Sequence, residues 1–272
     1  MSITADLNGK NYVLGRGRVY FDRYDSNATI DANTVGQGEL YFGNTPEFNT
    51  TSDSENLEHF DSDDGIKVKD DAVQLTMNRS GTFKCDNIAS KNVALYFLSD
   101  VTAVAQAAAV DTTYQVTVKP GLFYQIGADA ANPTGDRLIS NVTIGKGVGF
   151  ATDVPTAGNW QVDEVLGRLY VLPESTDIDA AGTLVQITYD TAAGSREQIV
   201  SSSDSIYGAL RFVANNPKGE NKDYYFPYVK LAPDGDYNLK GDDWQVMGFK
   251  FEILTKASNI KSVYIDGRAV AE

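Results

Sequence analysis

The sequence predicts a mainly β protein: a β-sandwich or barrel with one flanking α-helix, interrupted by a second, smaller β-sandwich of immunoglobulin-like type. Three observations carry this. Runs of Tyr, Phe, Val, Ile and Thr, broken by Gly, Asn and Asp clusters, recur along all 272 residues, as expected of short strands and turns. In the stretch from Asp223 to Leu254, Met247, Phe249, Phe251 and Ile253 alternate with Gly248, Lys250 and Glu252. That is the period of a sheet with one face on an apolar core and one in water. At Val101 the chain changes character, and Ala-rich TAVAQAAAVDTT gives way to short strands separated by NPTGD, GKGVG and PTAGN. The chain therefore parses as a discontinuous main domain, residues 1–105 and 201–272, with residues 106–200 inserted as a β domain of their own.

In order along the main domain, strands are expected at Tyr12 to Arg23, Gly38 to Gly43, Glu47 to Phe60, Ile66 to Lys69 and Val73 to Lys84. In the last of these Val73, Leu75, Met77 and Phe83 alternate with Gln74, Thr76, Asn78, Ser80 and Thr82, which predicts an apolar face on the core and a wet face opposite. Asp86 and Asn87 suit a helix cap, and NIASKNVALYFLSD places Ile88 and Leu95 on a helical stripe ending near Asp100. In the insertion, VTVKPGLFYQIG, LISNVTIG, NWQVDEVLGRLYVL and GTLVQITYDTA each read as a strand or hairpin. From Tyr207 the long two-faced strands resume, with Pro233, Gly235 and Gly241 marking the turn between the last pair.

Thirty-seven acidic residues against twenty-three Lys and Arg give a net charge of −14, which argues against electrostatic capture of nucleic acid. A conduit for DNA, by contrast, works better when the cargo does not stick to its wall. The single cysteine, Cys85, forms no internal disulfide, so stability is expected from packing or assembly. No window approaches the roughly 18 consecutive apolar residues of a membrane helix. The opening MSITADLNGKNY lacks the basic stretch and apolar run of a secretory signal, so export by that route is not expected.

Catalytic patterns are weak. The lone histidine, His59, neighbours Asp61 and Ser62, but the chain has no GxSxG elbow and no HExxH helix. Gly15 to Gly17 lacks phosphate-loop spacing. Asp234, Asp236 and Asn238 begin like a calcium loop, but Leu239 stands where the sharp turn needs glycine. The acidic turn Asp61 to Gly65 reads as solvated. Trp160 and the Tyr-rich segments are candidates for a sugar-binding surface, although aromatic residues in a β module first of all fill its core. The expectation is a protein that is not an enzyme and carries no cofactor and no metal.

The succession PEFNTTSDSENLEHFDSDDGIKVKDDAVQLTMNRSGTF, a short helix, then GALRFVANNPKGENKDYYFPYVKLAPDGDYNLKGDDWQVMGFKFEIL resembles the major tail tube protein of phages with long non-contractile tails. It spans about two-thirds of the chain, and YYFPYVKLAPDGD and LKGDDWQ are its most distinctive phrases. The resemblance implies a structural virion protein, made in the host bacterial cytoplasm, whose hexameric rings stack into the tail tube. Strands from every subunit would close one inner barrel through which DNA passes without specific binding. Its implied partners are its own copies, the tape-measure protein, and the tail terminator and tip proteins.

Within that picture Gln74, Thr76, Asn78, Ser80, Lys250 and Glu252 are candidates for the lumen wall. Asp53, Glu55, Glu58, Asp61, Asp63 and Asp64 are candidates for acidic loops between rings. Residues 106–200 are expected on the tube exterior. Two alternatives stand beside this reading: a carbohydrate-binding or adhesin-type sandwich of the virion surface, and a small β hydrolase.

Overall fold

The structure is a computed structural model that describes residues 11–63 and 65–269. The first part of the chain forms β1 (Gly17–Arg23), β2 (Glu39–Tyr41), β3 (Glu47–Asp61), β4 (Val68–Cys85) and α1 (Ser90–Tyr96). The middle forms β5 (Val101–Gln106), β6 (Ala109–Val118), β7 (Phe123–Gln125), β8 (Ile139–Lys146) and β9 (Thr152–Asp153). It continues with β10 (Trp160–Asp163), β11 (Arg168–Val171), β12 (Thr183–Thr191) and β13 (Gly194–Ile199). The last part forms β14 (Ile206–Ala214), β15 (Lys222–Pro233), β16 (Met247–Ile253) and β17 (Tyr264–Gly267). The fold is mainly β, and α1 is the one α-helix among the described residues. The chain divides into two compact units, Thr102–Gln198 and the residues that flank it on both sides.

The flanking residues build one eight-stranded antiparallel sheet in the order β2-β1-β14-β15-β16-β4-β3, with β17 also paired to β15. The alternation read from the sequence sets its packing: in β16 Met247, Phe249 and Phe251 are fully buried while Lys250 and Glu252 are exposed. The sheet is rolled, since Phe48 on edge strand β3 stacks on Phe212 of β14, four strands away, with ring centroids 5.3 Å apart. It does not close into a barrel by hydrogen bonds; among the described residues β2, β3 and the short β17 are its edges. Phe21, Phe42, Phe83, Phe226, Phe249 and Phe251 fill the interior. Gly81 is required there, because a Cβ at that position would collide with the Phe251 ring and with the Asn49 carbonyl on the neighbouring strand.

Helix α1 packs Leu95 into this core and sets Tyr96 edge-on to Phe249, with its hydroxyl donating to the Gly235 carbonyl at 2.8 Å. The expected cap is not where the sequence suggested. Ala89 occupies the N-cap without a side-chain hydrogen bond. Asp86 instead accepts from the Asn44 amide, and Asn87 and the buried Asn92 both donate to the Phe42 carbonyl. These side chains tie the end of β2 to the β4–α1 connection, and burial there pushes the Cys85 thiol pKa up. The expected first strand also starts late: Leu14 makes only an isolated bridge to Lys218, and β1 begins at Gly17.

The inserted unit contains a four-stranded sheet, β6-β12-β8-β9, and a three-stranded sheet, β10-β11-β7. The strands at its two chain ends, β5 and β13, pair with each other. Val118, Ile144, Val185 and Ile187 from one sheet and Trp160, Leu169 and Val171 from the other share a single core, which makes the unit a small sandwich. Tyr189 is buried there, with its hydroxyl donating to Asp136 Oδ2 at 2.7 Å.

Candidate functional site: a projecting arm and a two-faced wall

The strands β3 and β4 pair along their whole length, but β16 accompanies β4 only from Arg79 to Cys85. Beyond Arg79 the two strands run on as a bare ribbon that ends in the turn containing Gly65, whose φ of +71° is a left-handed conformation that suits glycine. Nine further residue pairs, at about 3.3 Å each, give a projection of roughly 30 Å. The expected core contacts of Val73, Leu75 and Met77 are therefore not made among the described residues. Val73 is 57% exposed, Leu75 56% and Leu57 61%, and Met77, Phe60, Ile66 and Val68 are also exposed. Only from Gly81 onward do the inward residues of β4 become buried.

The strands predicted at Ile66 to Lys69 and Val73 to Lys84 are one continuous strand. Two irregularities interrupt its ladder, where Leu75 and Asp70 are passed over in the pairing with β3. Each extra residue reverses the alternation of β4 relative to β3, because directly opposed residues share a face. Thr76 opposes Glu55, Asn78 opposes Asp53 and Ser80 opposes both Thr51 and Glu252, so these lie on one face together with Lys250, which opposes Thr82. Gln74 does not belong with them. It opposes Asn56 beyond the irregularity and falls on the other face, while Val73 and its partner Leu57 move to the face of Thr76. The arm thus carries apolar side chains on both sides.

The proposed division between wall residues and inter-ring loops also changes. Asp53, Glu55, Glu58 and Asp61 are strand residues of β3, and Asp53 and Glu55 share a face with Asn78 and Thr76. Asp63 lies in the turn, its backbone N–H donating to Asp61 Oδ1, and Asp64 lies outside the described residues. Along the arm Glu58 pairs with Lys69 at 2.5 Å, and His59 Nδ1 meets Asp70 Oδ1 at 2.6 Å. At the root Glu47 pairs with Lys84 at 2.8 Å, and hydrogen bonds from Lys84 and then Asn49 hold its carboxyl below the ordinary glutamate range.

The same outer face continues across the rest of the sheet, where it turns aromatic. Tyr41, Tyr20, Arg211, Tyr225 and Tyr264 oppose one another in succession across five strands, with the Arg211 guanidinium 4.4 Å from the Tyr225 ring centre and bonded to Glu39 at 2.6 Å. Sequence reading missed this ladder, because its members come from five separate segments. On the inner side, a cleft of about 780 Å3 opens where β3 faces β14 and β15. Phe48, Phe212 and Tyr224 line it, with Lys218 and Lys222 among its charged residues. A second recess of about 440 Å3 shares Thr50 and Tyr224 with the first and adds Arg79 and Lys261.

Residues singled out for other chemistry take other places. Trp160 is buried, its indole N–H donating to the Val154 carbonyl at 2.8 Å, so it presents no face to a sugar. Asp234, Asp236 and Asn238 lie in the β15–β16 loop, and among the described residues no cluster of His, Cys, Asp or Glu is placed to hold a metal ion. No helix of the described residues is long and apolar enough to cross a membrane.

Comparison with known families matches residues 12–265 to the family described as protein of unknown function UCP028589. The chain belongs to that family. The matched span takes in the rolled sheet, the arm and the inserted sandwich alike. No curated protein matches the sequence.

Proposed function

We propose that this family member is a structural, self-assembling protein, a tail tube subunit of a phage with a long non-contractile tail. Its rings stack into the conduit through which DNA leaves the virion. The observation that carries the reading is the arm: a two-stranded ribbon with apolar groups on both faces and, among the described residues, no third strand beside it. A lone two-stranded hairpin is marginal in water, and long unpaired edges invite pairing with another chain. Each large apolar side chain moved from water into a contact contributes about 1.5–3 kcal/mol, enough across several residues to offset the cost of association.

The outer face of the sheet suits a wall. From Lys250 and Glu252 across Ser80, Asn78 and Thr76 one face is polar, and Leu57 and Val73 follow on that face only further along the arm. A net charge of −14 disfavours adhesion of DNA to such a surface. The chemistry is passive, with subunits pairing around a ring and stacking ring upon ring. The tape-measure, terminator and tip proteins are the partners that the resemblance assigns, and the inserted sandwich is assigned to the tube exterior.

Negative-stain microscopy of the concentrated protein tests this. Rings or tubes with a central hole are expected. A chain in which residues 56–73 are replaced by an Asn-Gly turn is expected to fold and stay monomeric. Copurification with virions at many copies per particle is the second expected result. A protein that stays monomeric at high concentration and is absent from virions overturns the proposal.

A further inference from the structure

The arm and the cleft are complementary in chemistry. From Asp53 to Asp71 the arm holds eight carboxylates against Lys67 and Lys69, with apolar side chains between them. The cleft and its adjoining recess reverse that balance: Lys218, Lys222, Arg79 and Lys261 line them, with Glu220, 3.7 Å from Lys222, as the one carboxylate among the described lining residues, over a floor that includes Phe48, Phe212 and Tyr224. An acidic ribbon with apolar side chains matches a basic cleft with an aromatic floor in charge and in apolar character.

The arm cannot fill the cleft of its own subunit. Phe48 and Thr50, in the cleft wall, and Asp53 onward, in the arm, belong to the same uninterrupted strand, which leads away from the cleft. We infer that the arm of one copy lies in the cleft of a second copy. The inference rests on the self-assembly reading and names the contact by which it works. Arm and cleft are different surfaces, so the contact is heterologous. Each copy that donates an arm still offers an empty cleft, and the assembly extends from copy to copy instead of stopping at a pair.

Two chains with one added cysteine each test this, and buried Cys85 leaves the background low. One carries Leu57→Cys on the arm and the other Lys218→Cys at the cleft; both positions are exposed. Mixed and treated with a short bismaleimide, they are expected to form the mixed cross-linked dimer. Lys218→Glu with Lys222→Glu is expected to raise the concentration needed for assembly at least tenfold. Mixing with a chain carrying Glu55→Lys and Glu58→Lys is expected to restore it.

Tubes visible by microscopy without the mixed cross-link, or charge reversal that leaves assembly unchanged, overturn the arm-in-cleft contact and leave the tube reading standing. A cross-link from Ser2→Cys to Lys218→Cys within one chain, with none from the arm, also overturns it and gives the cleft to the chain's own first ten residues. Absence of both assembly and cross-link overturns this inference, and absence from virions as well overturns the tube reading with it.

Discussion

The two halves of the β3–β4 hairpin are built from the same strands with the same kind of alternation, yet one is core and the other is surface. At the root, Phe48 and Phe83 stack with ring centroids 6.0 Å apart and Phe83 lies 5.1 Å from Phe249 on the next strand. In the arm, Leu57 opposes Val73 and both stay in water. The sequence difference is modest; the neighbourhood difference is large. Where β16 accompanies β4, apolar side chains find the rest of the rolled sheet, and where it stops at Arg79 they find no third strand among the described residues. An apolar residue on a strand is therefore core or interface according to what the third strand does.

Mutations that separate the two halves put this contrast to the test. The largest effect is expected at the root: Phe83→Ala removes a fully buried ring and costs about 3–5 kcal/mol in urea unfolding. A loss as small as that of an arm substitution would break the comparison. Next comes a control outside the hairpin, at Tyr189 in the inserted sandwich. Tyr189→Phe leaves Asp136 short of one donor and is expected to cost about 1–2 kcal/mol.

The same residue gives a pH signature. Burial, then the hydrogen bond to Asp136, raises the Tyr189 pKa far above its ordinary value of 10.0. Its contribution is fully present below that ordinary value and falls as pH rises beyond it, because the unfolded chain ionises first. Thermal unfolding from pH 8 to 11 is expected to show this alkaline loss in the native chain and a flatter profile in Tyr189→Phe. The β3–β4 root and arm variants should leave the slope unchanged.

In the arm, Leu57→Ser combined with Val73→Ser is expected to change subunit stability by no more than about 0.5 kcal/mol, since both sites are exposed. The same pair should raise the concentration needed for assembly roughly tenfold or more, measured by light scattering and microscopy. A subunit that unfolds on this substitution would mean that the arm is held by its own chain. The smallest effect is expected for Glu58→Gln, which breaks the exposed pair with Lys69 and costs at most about 0.5 kcal/mol in a melting curve.

Much of this was legible beforehand. The β16 alternation, the helix after Cys85 and the change of character near Val101 are local patterns, and each corresponds to an element of the structure. The helix cap was misread because Asp86 and Asn87 are drawn to Asn44 and the Phe42 carbonyl, groups more than forty residues away in the chain. Gln74 was grouped with Thr76 because unbroken alternation was assumed, and nothing in VQLTMN announces the extra residue at Leu75. The Tyr and Arg ladder and the basic cleft gather residues from distant segments, so no window of sequence contains either.

The sequence by itself determined which residues can share a face, since side chains alternate along any strand, and where strands stop, since Gly, Pro and Asn set the turns. It also determined the acidic charge of the segment from Asp53 to Asp71. Tertiary structure alone decided which alternating face is buried. That depends on hydrogen-bonded neighbours supplied by the far end of the chain, and at Arg79 the neighbour runs out while the alternation carries on.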